Sequence, residues 1–123
     1  MSEGASGRLG FPRAMRIKHG RDFSRLRRQG QRIAYRSVIA NWIELPADKT
    51  SRLGVITTKA LGPAVVRSRA RRLLRETFRL HQNELRVPLE LVLVARNSIV
   101  EKKLPDVESD FLKIMRQAGM LKS

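Results

Sequence analysis

From residue 62 the chain reads GPAVVRSRARRLLRETFRL, and winding it at about 100° per residue separates its apolar from its charged positions. Val66, Ala70, Leu73, Leu74, Thr77 and Phe78 gather on one arc, while Arg67, Ser68, Arg69, Arg71, Arg72, Arg75 and Arg79 fill most of the remainder. The spacing predicts an amphipathic helix that begins after Gly62 and Pro63, where a missing backbone N–H is harmless, and runs to about Asn83. Upstream, GRDFSRLRRQ at residues 20–29 predicts a short helix with Phe23 and Leu26 three apart and Gly30 just past its end.

Between and after these helices the period changes. Ile33 to Leu45 is dense in β-branched and aromatic residues and predicts a strand, with Val38, Ala40 and Trp42 on one face and Ile39, Asn41 and Ile43 on the other. Arg32 to Tyr35 offers a further short strand at the sheet edge. Pro46, Ala47, Asp48 and Lys49 supply a turn, after which Arg52 to Lys59 is expected to pair back as the second strand of a hairpin. Leu89 to Ala95, LELVLVA, has the continuous apolar character of a strand covered on both faces or lying parallel to a neighbour. Strand, arginine helix and strand in succession imply a crossover unit. Leu104 to Gly119 closes the chain as a helix with Pro105 in its first turn and Val107, Phe111, Ile114, Met115 and Ala118 as its core face. The predicted fold is α+β: a single-domain sandwich of helices on a mainly antiparallel four-stranded sheet.

A chain of 123 residues is one domain's worth, with residues 1–12, rich in Gly and Ser, expected to be a disordered lead-in and residues 13–123 the folded unit. There is no cysteine, which removes disulfides, thiolate metal sites and cysteine nucleophiles together and fits a reducing compartment. No apolar run approaches the ~20 residues a bilayer span requires, and the N-terminus lacks the apolar centre of a secretion signal. A soluble, cytoplasmic protein is expected.

Charge narrows the field further. The net charge is +15, and residues 1–81 carry nineteen lysines and arginines against five acids whereas residues 82–123 carry seven against six. Six arginines crowd one helix, and like-charged i,i+4 pairs such as Arg67/Arg71 and Arg71/Arg75 cost a few tenths of a kcal/mol each. A solvated face normally mixes both signs, and here only Glu76 offers a partner. A polyanion that cancels the repulsion explains the pattern better, and the planar guanidinium suits phosphate oxygens. Arg13 and Arg16, with Arg8 and Lys18, form a basic approach segment with two readings, a solvated tail or a phosphate-contacting arm.

Catalytic chemistry is harder to find. The eleven acids are scattered, Asp106, Glu108 and Asp110 look like a helix start, and His19 and His81 are too far apart for a convincing metal site. Neither GxxxxGK[ST] nor GxGxxG precedes the arginine helix, and Ser68 has no base at a recognisable spacing. No independent protein active site is expected.

Residues 57–79, TTKALGPAVVRSRARRLLRETFR, closely resemble the signature of the bacterial ribonuclease P protein component, and the likeness extends outward to Asp22, Phe23 and Gly30 and to Val92–Arg96, VLVAR. The resemblance implies a left-handed β-α-β crossover, an exception to the usual hand. It also implies that a catalytic RNA with Mg²⁺ hydrolyses the phosphodiester joining the 5′ leader to a precursor tRNA, the metal being held mainly by the RNA. The protein would bind that RNA and the leader, with no membrane and no protein partner implied. By the same resemblance Arg67, Ser68 and Arg69 occupy the motif facing the catalytic RNA, with Lys59, Arg71, Arg72 and Arg75 continuing it, and Phe23 lies in a cleft that receives the single-stranded leader. Ser68 stands where the family usually has Asn, Arg27 and Asn41 where it often has aromatic cleft residues, and Ala60 in place of a second lysine. A less aromatic, more cationic cleft follows. The alternative is a ribosomal or ribosome-associated structural RNA-binding protein, which the same charge and a related fold would serve.

Overall fold

A computed structural model describes residues 20–122. Arg13, Arg16 and the expected disordered segment 1–12 lie outside the described residues. The element order is α1 (Gly20–Gln29), β1 (Gln31–Tyr35), β2 (Val38–Glu44), β3 (Arg52–Ile56), α2 (Ala64–His81), β4 (Leu89–Ala95) and α3 (Leu104–Gln117), with short 3-10 turns at Lys59–Leu61, Gln82–Glu84 and Asn97–Glu101. The arginine helix thus ends at His81, and the residues to Glu84 tighten into one of those turns.

The four strands form one sheet in the order β1-β2-β4-β3, with β1/β2 and β2/β4 antiparallel and β3/β4 parallel. This corrects the expected hairpin between the strands at 38–44 and 52–56, because β4 lies between them. β4 is the most apolar strand, with Leu89, Leu91 and Leu93 buried on one face and Val92 on the other. The centre of a two-layered sheet is the position that removes both faces from water. The actual hairpin joins β1 to β2 through Arg36 and Ser37, splitting the stretch from Ile33 to Leu45 into two strands. β3, α2 and β4 form the crossover.

Period two sorts the side chains between two layers. Val38, Ala40 and Trp42 of β2 and Leu89, Leu91 and Leu93 of β4 face the main core, where they meet Ala70, Leu74 and Phe78 of α2 and Val107, Phe111, Ile114 and Met115 of α3. The opposite face carries a smaller cluster in which Leu26 of α1 packs on Val92, flanked by Ile43, Ile56 and Val94. Burying a side chain such as Leu26, 1% exposed, contributes roughly 1.5–3 kcal/mol to holding α1 on the sheet. Gly30 lets the end of α1 close on β2. A Cβ there would stand 2.6 Å from both the Leu26 and Trp42 carbonyl oxygens, so only glycine fits without moving backbone.

Candidate nucleic-acid interface

Two surfaces emerge from this architecture, one on α2 and one beneath α1. Along α2, Ala70, Leu74, Thr77 and Phe78 are buried, which leaves the arginine arc on the outside. Ser68 and Arg72 are exposed, and Arg67, Arg69, Arg71 and Arg75 are half-buried. The helix starts after Gly62, whose φ of 141° is a backbone state reserved for glycine, and the Gly62 carbonyl accepts a hydrogen bond from Arg67 Nε at 3.2 Å. Lys59 is exposed in the short turn between β3 and this start.

The arginines are not equivalent. Arg69 Nη2 donates to the Lys102 carbonyl at 2.6 Å, strapping α2 to the loop after β4. Arg71 Nη1 donates to Thr57 Oγ1 at 2.9 Å and Nη2 to Ser68 Oγ at 3.1 Å, so Ser68 orients a neighbouring guanidinium. Arg79 pairs with Glu76 through Nε at 3.0 Å and through Nη2, and the Arg79 hydrogen bond holds the Glu76 carboxyl below its usual range. That pair takes the C-terminal part of the helix out of the free cationic surface. Arg72 is exposed, and the bond to the Gly62 carbonyl engages Arg67 through Nε.

The second surface is a cleft of about 370 Å³ on the sheet face under α1, lined by Leu26, Arg27, Arg32, Ile39, Asn41, Ile56, Val92 and Val94. Arg27 and Asn41, two of the three cleft residues implied by the family resemblance, come together here. Phe23 lies within α1, but its side chain falls outside the described residues. Register explains the grouping: Arg32 pairs with Asn41 and Asn41 with Val92, a row across three strands, and Ile39 and Val94 form the next. Asn41 is 8% exposed, and its amide makes no side-chain hydrogen bond among the described residues. An amide beside two arginines on an apolar floor suits a ligand that supplies hydrogen-bond donors and acceptors. At one end of this face the buried Glu90 carboxylate accepts from Arg25 of α1 and, at 2.8 Å, from Arg52 Nη1 of β3. This clasp fastens α1 over the sheet.

Sequence reasoning missed Arg32 and the apolar floor of Ile39, Ile56, Val92 and Val94. The alternation along β2 and β4 carried the signal for the floor, but placing Arg32 beside Asn41 needed the β1/β2 register. The two surfaces meet where Arg71 reaches Thr57, the residue after Ile56. Among the described residues no three His, Asp or Glu side chains are grouped to hold a metal ion, and no helix is long and apolar enough to cross a membrane.

Residues 11–119 match the family model described as Ribonuclease P. The chain belongs to the ribonuclease P protein family. Family membership makes it the protein component of a ribonucleoprotein endoribonuclease that acts in tRNA 5′ processing with an RNA subunit. The ribonuclease P protein component of Syntrophomonas wolfei is 34% identical over 105 residues, 85% of this chain and 87% of that protein. That of Dictyoglomus thermophilum is 32% identical over 118 residues, 94% and 98% of the two chains. Among solved structures, the Staphylococcus aureus RNase P protein superposes with a TM-score of 0.78 at 24% identity, covering 89% of this chain and 100% of that one. The Thermotoga maritima RNase P protein does so at 0.73 and 20% identity, covering 83% and 96%. At these identities the structural likeness speaks for the ribonuclease P protein fold alone.

Proposed function

We propose that this chain binds the catalytic ribonuclease P RNA through Lys59, Arg67, Ser68, Arg71, Arg72 and Arg75 and holds the 5′ leader of precursor tRNA in the cleft formed by Arg27, Arg32 and Asn41. Arg69 supports the first surface by strapping α2 to the loop after β4. The carrying observation is the hydrogen bond of 2.9 Å from Arg71 of α2 to Thr57, the residue that follows Ile56 of the cleft lining, which sets the arginine face beside that end of the cleft. A strand leaving an RNA docked on α2 enters the cleft at that point. Phosphates along it meet Arg27 and Arg32, and bases lie on the aliphatic floor beside the Asn41 amide. Contacts of this kind tolerate any sequence, as a leader site requires. The basic approach segment with Arg13 and Arg16 belongs to the same polyanion surface in this reading.

Among the described residues no three His, Asp or Glu side chains are grouped to hold a metal ion, and no step is assigned to a protein-held metal. In this reading hydrolysis rests with the RNA, where bound Mg²⁺ would supply an activated water and neutralise developing charge. The protein's part is to position the substrate and screen phosphate repulsion, in the cytoplasm where precursor tRNA is matured.

The test is 5′ processing of a precursor tRNA at limiting Mg²⁺ by the protein alone, a bacterial ribonuclease P RNA alone, and both together. Cleavage at the mature 5′ end that needs both components supports the reading. Failure to stimulate the RNA would overturn it, and cleavage by the protein alone would place the chemistry in the chain.

A further inference from the structure

The β1–β2 turn has a feature that neither surface uses. Arg36, the first of its two loop residues, has φ 52°, a left-handed state usually filled at such turns by Gly, Asn or Asp. Its surroundings hold it there. The Ser37 N–H and hydroxyl both donate to Asp110 Oδ2, at 3.1 and 2.6 Å, and the Ser37 carbonyl accepts from the Arg96 N–H at 3.0 Å. The Arg36 guanidinium stands 5.3 Å from the centroid of the Tyr35 ring, and a cation on a ring face keeps its N–H donors available. Ser37 is fully buried while Arg36 is exposed. A strained backbone state thus carries an outward cation where a small residue would fit with less strain, and strain of this kind concentrates at functional positions.

Its position in the sheet gives the strain a direction. Tyr35 pairs with Val38, Val38 with Ala95, and Ile56 with Val94, so Arg36, Arg96 and Lys59 all leave the sheet at one end. They span three inter-strand spacings, about 14 Å. The N-terminus of α2 follows Lys59 within a few residues. The segments at this rim, 36–37, 57–60 and 96–98, contain no acid, and the Asp110 carboxylate packed against Ser37 is buried and engaged by the N–H and hydroxyl of that serine. Among the described residues no carboxylate forms an ion pair with Arg36, Arg96 or Lys59.

We infer that Arg36 contacts an RNA phosphate, so that the RNA footprint continues from the start of α2 across the sheet rim to the β1–β2 turn. The inference rests on the RNA-binding reading above. The phosphate belongs to the catalytic RNA or to the precursor, and the chemistry is the same for both. Asp110 is a positioning residue here, acting through Ser37.

Arg36→Gly removes the guanidinium and relieves the φ, so the fold is retained, and Arg36→Lys keeps the charge. Arg36→Asn, which also accepts the left-handed state, replaces the glycine variant if that variant unfolds. Binding is titrated against monovalent salt with the catalytic RNA, and for the holoenzyme with precursor tRNA with and without its leader. The glycine variant is expected to lose about 0.7–0.9 from the log–log salt slope, equivalent to five- to eightfold weaker binding at about 0.1 M, with an unchanged thermal transition. The lysine variant is expected to keep the wild-type slope. Loss with the catalytic RNA assigns the phosphate to that molecule, and loss confined to the leader-bearing precursor assigns it to the substrate. Wild-type affinity and slope in every titration, with Arg72→Ala still weakening binding, would overturn this inference alone. If Arg72→Ala were also without effect, the RNA-binding reading would fall with it.

Discussion

Ser37 and Asp110 lie 73 positions apart, yet the backbone N–H and hydroxyl of one converge on a single carboxylate oxygen of the other. Both residues are buried, at 0% and 5% exposure. Replacing Asp110 by alanine leaves the Ser37 N–H without an acceptor in a dry site, at a cost of about 2–4 kcal/mol. Urea unfolding of Asp110→Ala should show that loss, with Ser37→Ala giving a smaller one. Equal, negligible effects would mean that the hairpin turn is held by β-pairing alone.

His81, the last residue of α2, faces Glu84 through Nδ1 and Glu108 of α3 through Nε2, the latter at 2.6 Å. Burial alone would lower its pKa, but the hydrogen bonds to Glu108 and Glu84 outweigh that and raise it above the ordinary 6.5. Only the imidazolium donates from both nitrogens. A group whose pKa rises on folding gives its full stabilisation below the unfolded value and loses it as pH climbs through the folded value. The wild-type urea midpoint should therefore fall from about pH 6 to about pH 8, and His81→Gln should flatten that dependence. Parallel profiles for the two proteins would show that His81 does not tie α2 to α3.

Arg69 and Arg72 share a helix but have different surroundings. Arg69→Ala removes the donor to the Lys102 carbonyl and should cost about 1–2 kcal/mol of folding stability in addition to weakening RNA binding. Arg72→Ala should leave the unfolding curve in place and reduce the salt slope for RNA by about one contact. Thermal melts alongside salt titrations separate the two, and identical behaviour would remove the distinction.

The cleft makes a separate prediction about substrate. Arg27→Ala should lower the log–log salt slope by about 0.7 for precursor tRNA carrying a leader and leave binding of leaderless tRNA unchanged. Asn41→Tyr should tighten leader binding by adding a stacking surface worth ~1–3 kcal/mol. A slope unaffected by Arg27→Ala would exclude a phosphate contact there.

Much of the molecule was legible in the residue pattern. The helices at 20–29, 64–81 and 104–117 follow from 3.6-residue periodicity, and the two faces of β2 were sorted by alternation. The apolar run of β4 announced a strand covered on both faces or parallel to a neighbour, and it is both, but alternation does not encode strand order, so its place between β2 and β3 was not legible. The Arg36–Ser37 turn lacks the glycine or asparagine that announces a tight hairpin, because long-range hydrogen bonds to Asp110 hold it. The arginine arc on α2 was visible as a cluster, but not that Arg69 binds backbone carbonyls while Arg72 faces water. Arg27 and Asn41 were placed in one cleft by family resemblance, and Arg32 became their neighbour only through register.

The placement of β4 has a consequence for biogenesis. β4, an inner strand of the sheet, follows β1, β2, β3 and α2 in the chain, and β2 and β3 cannot be bridged before it is made. Until then α2 has no complete sheet to pack on, its six arginines repel one another, and two strand edges stand open to other chains. Completion of the sheet therefore waits on the nearly neutral last third of the chain, which carries the strand that joins the parts of the basic two-thirds.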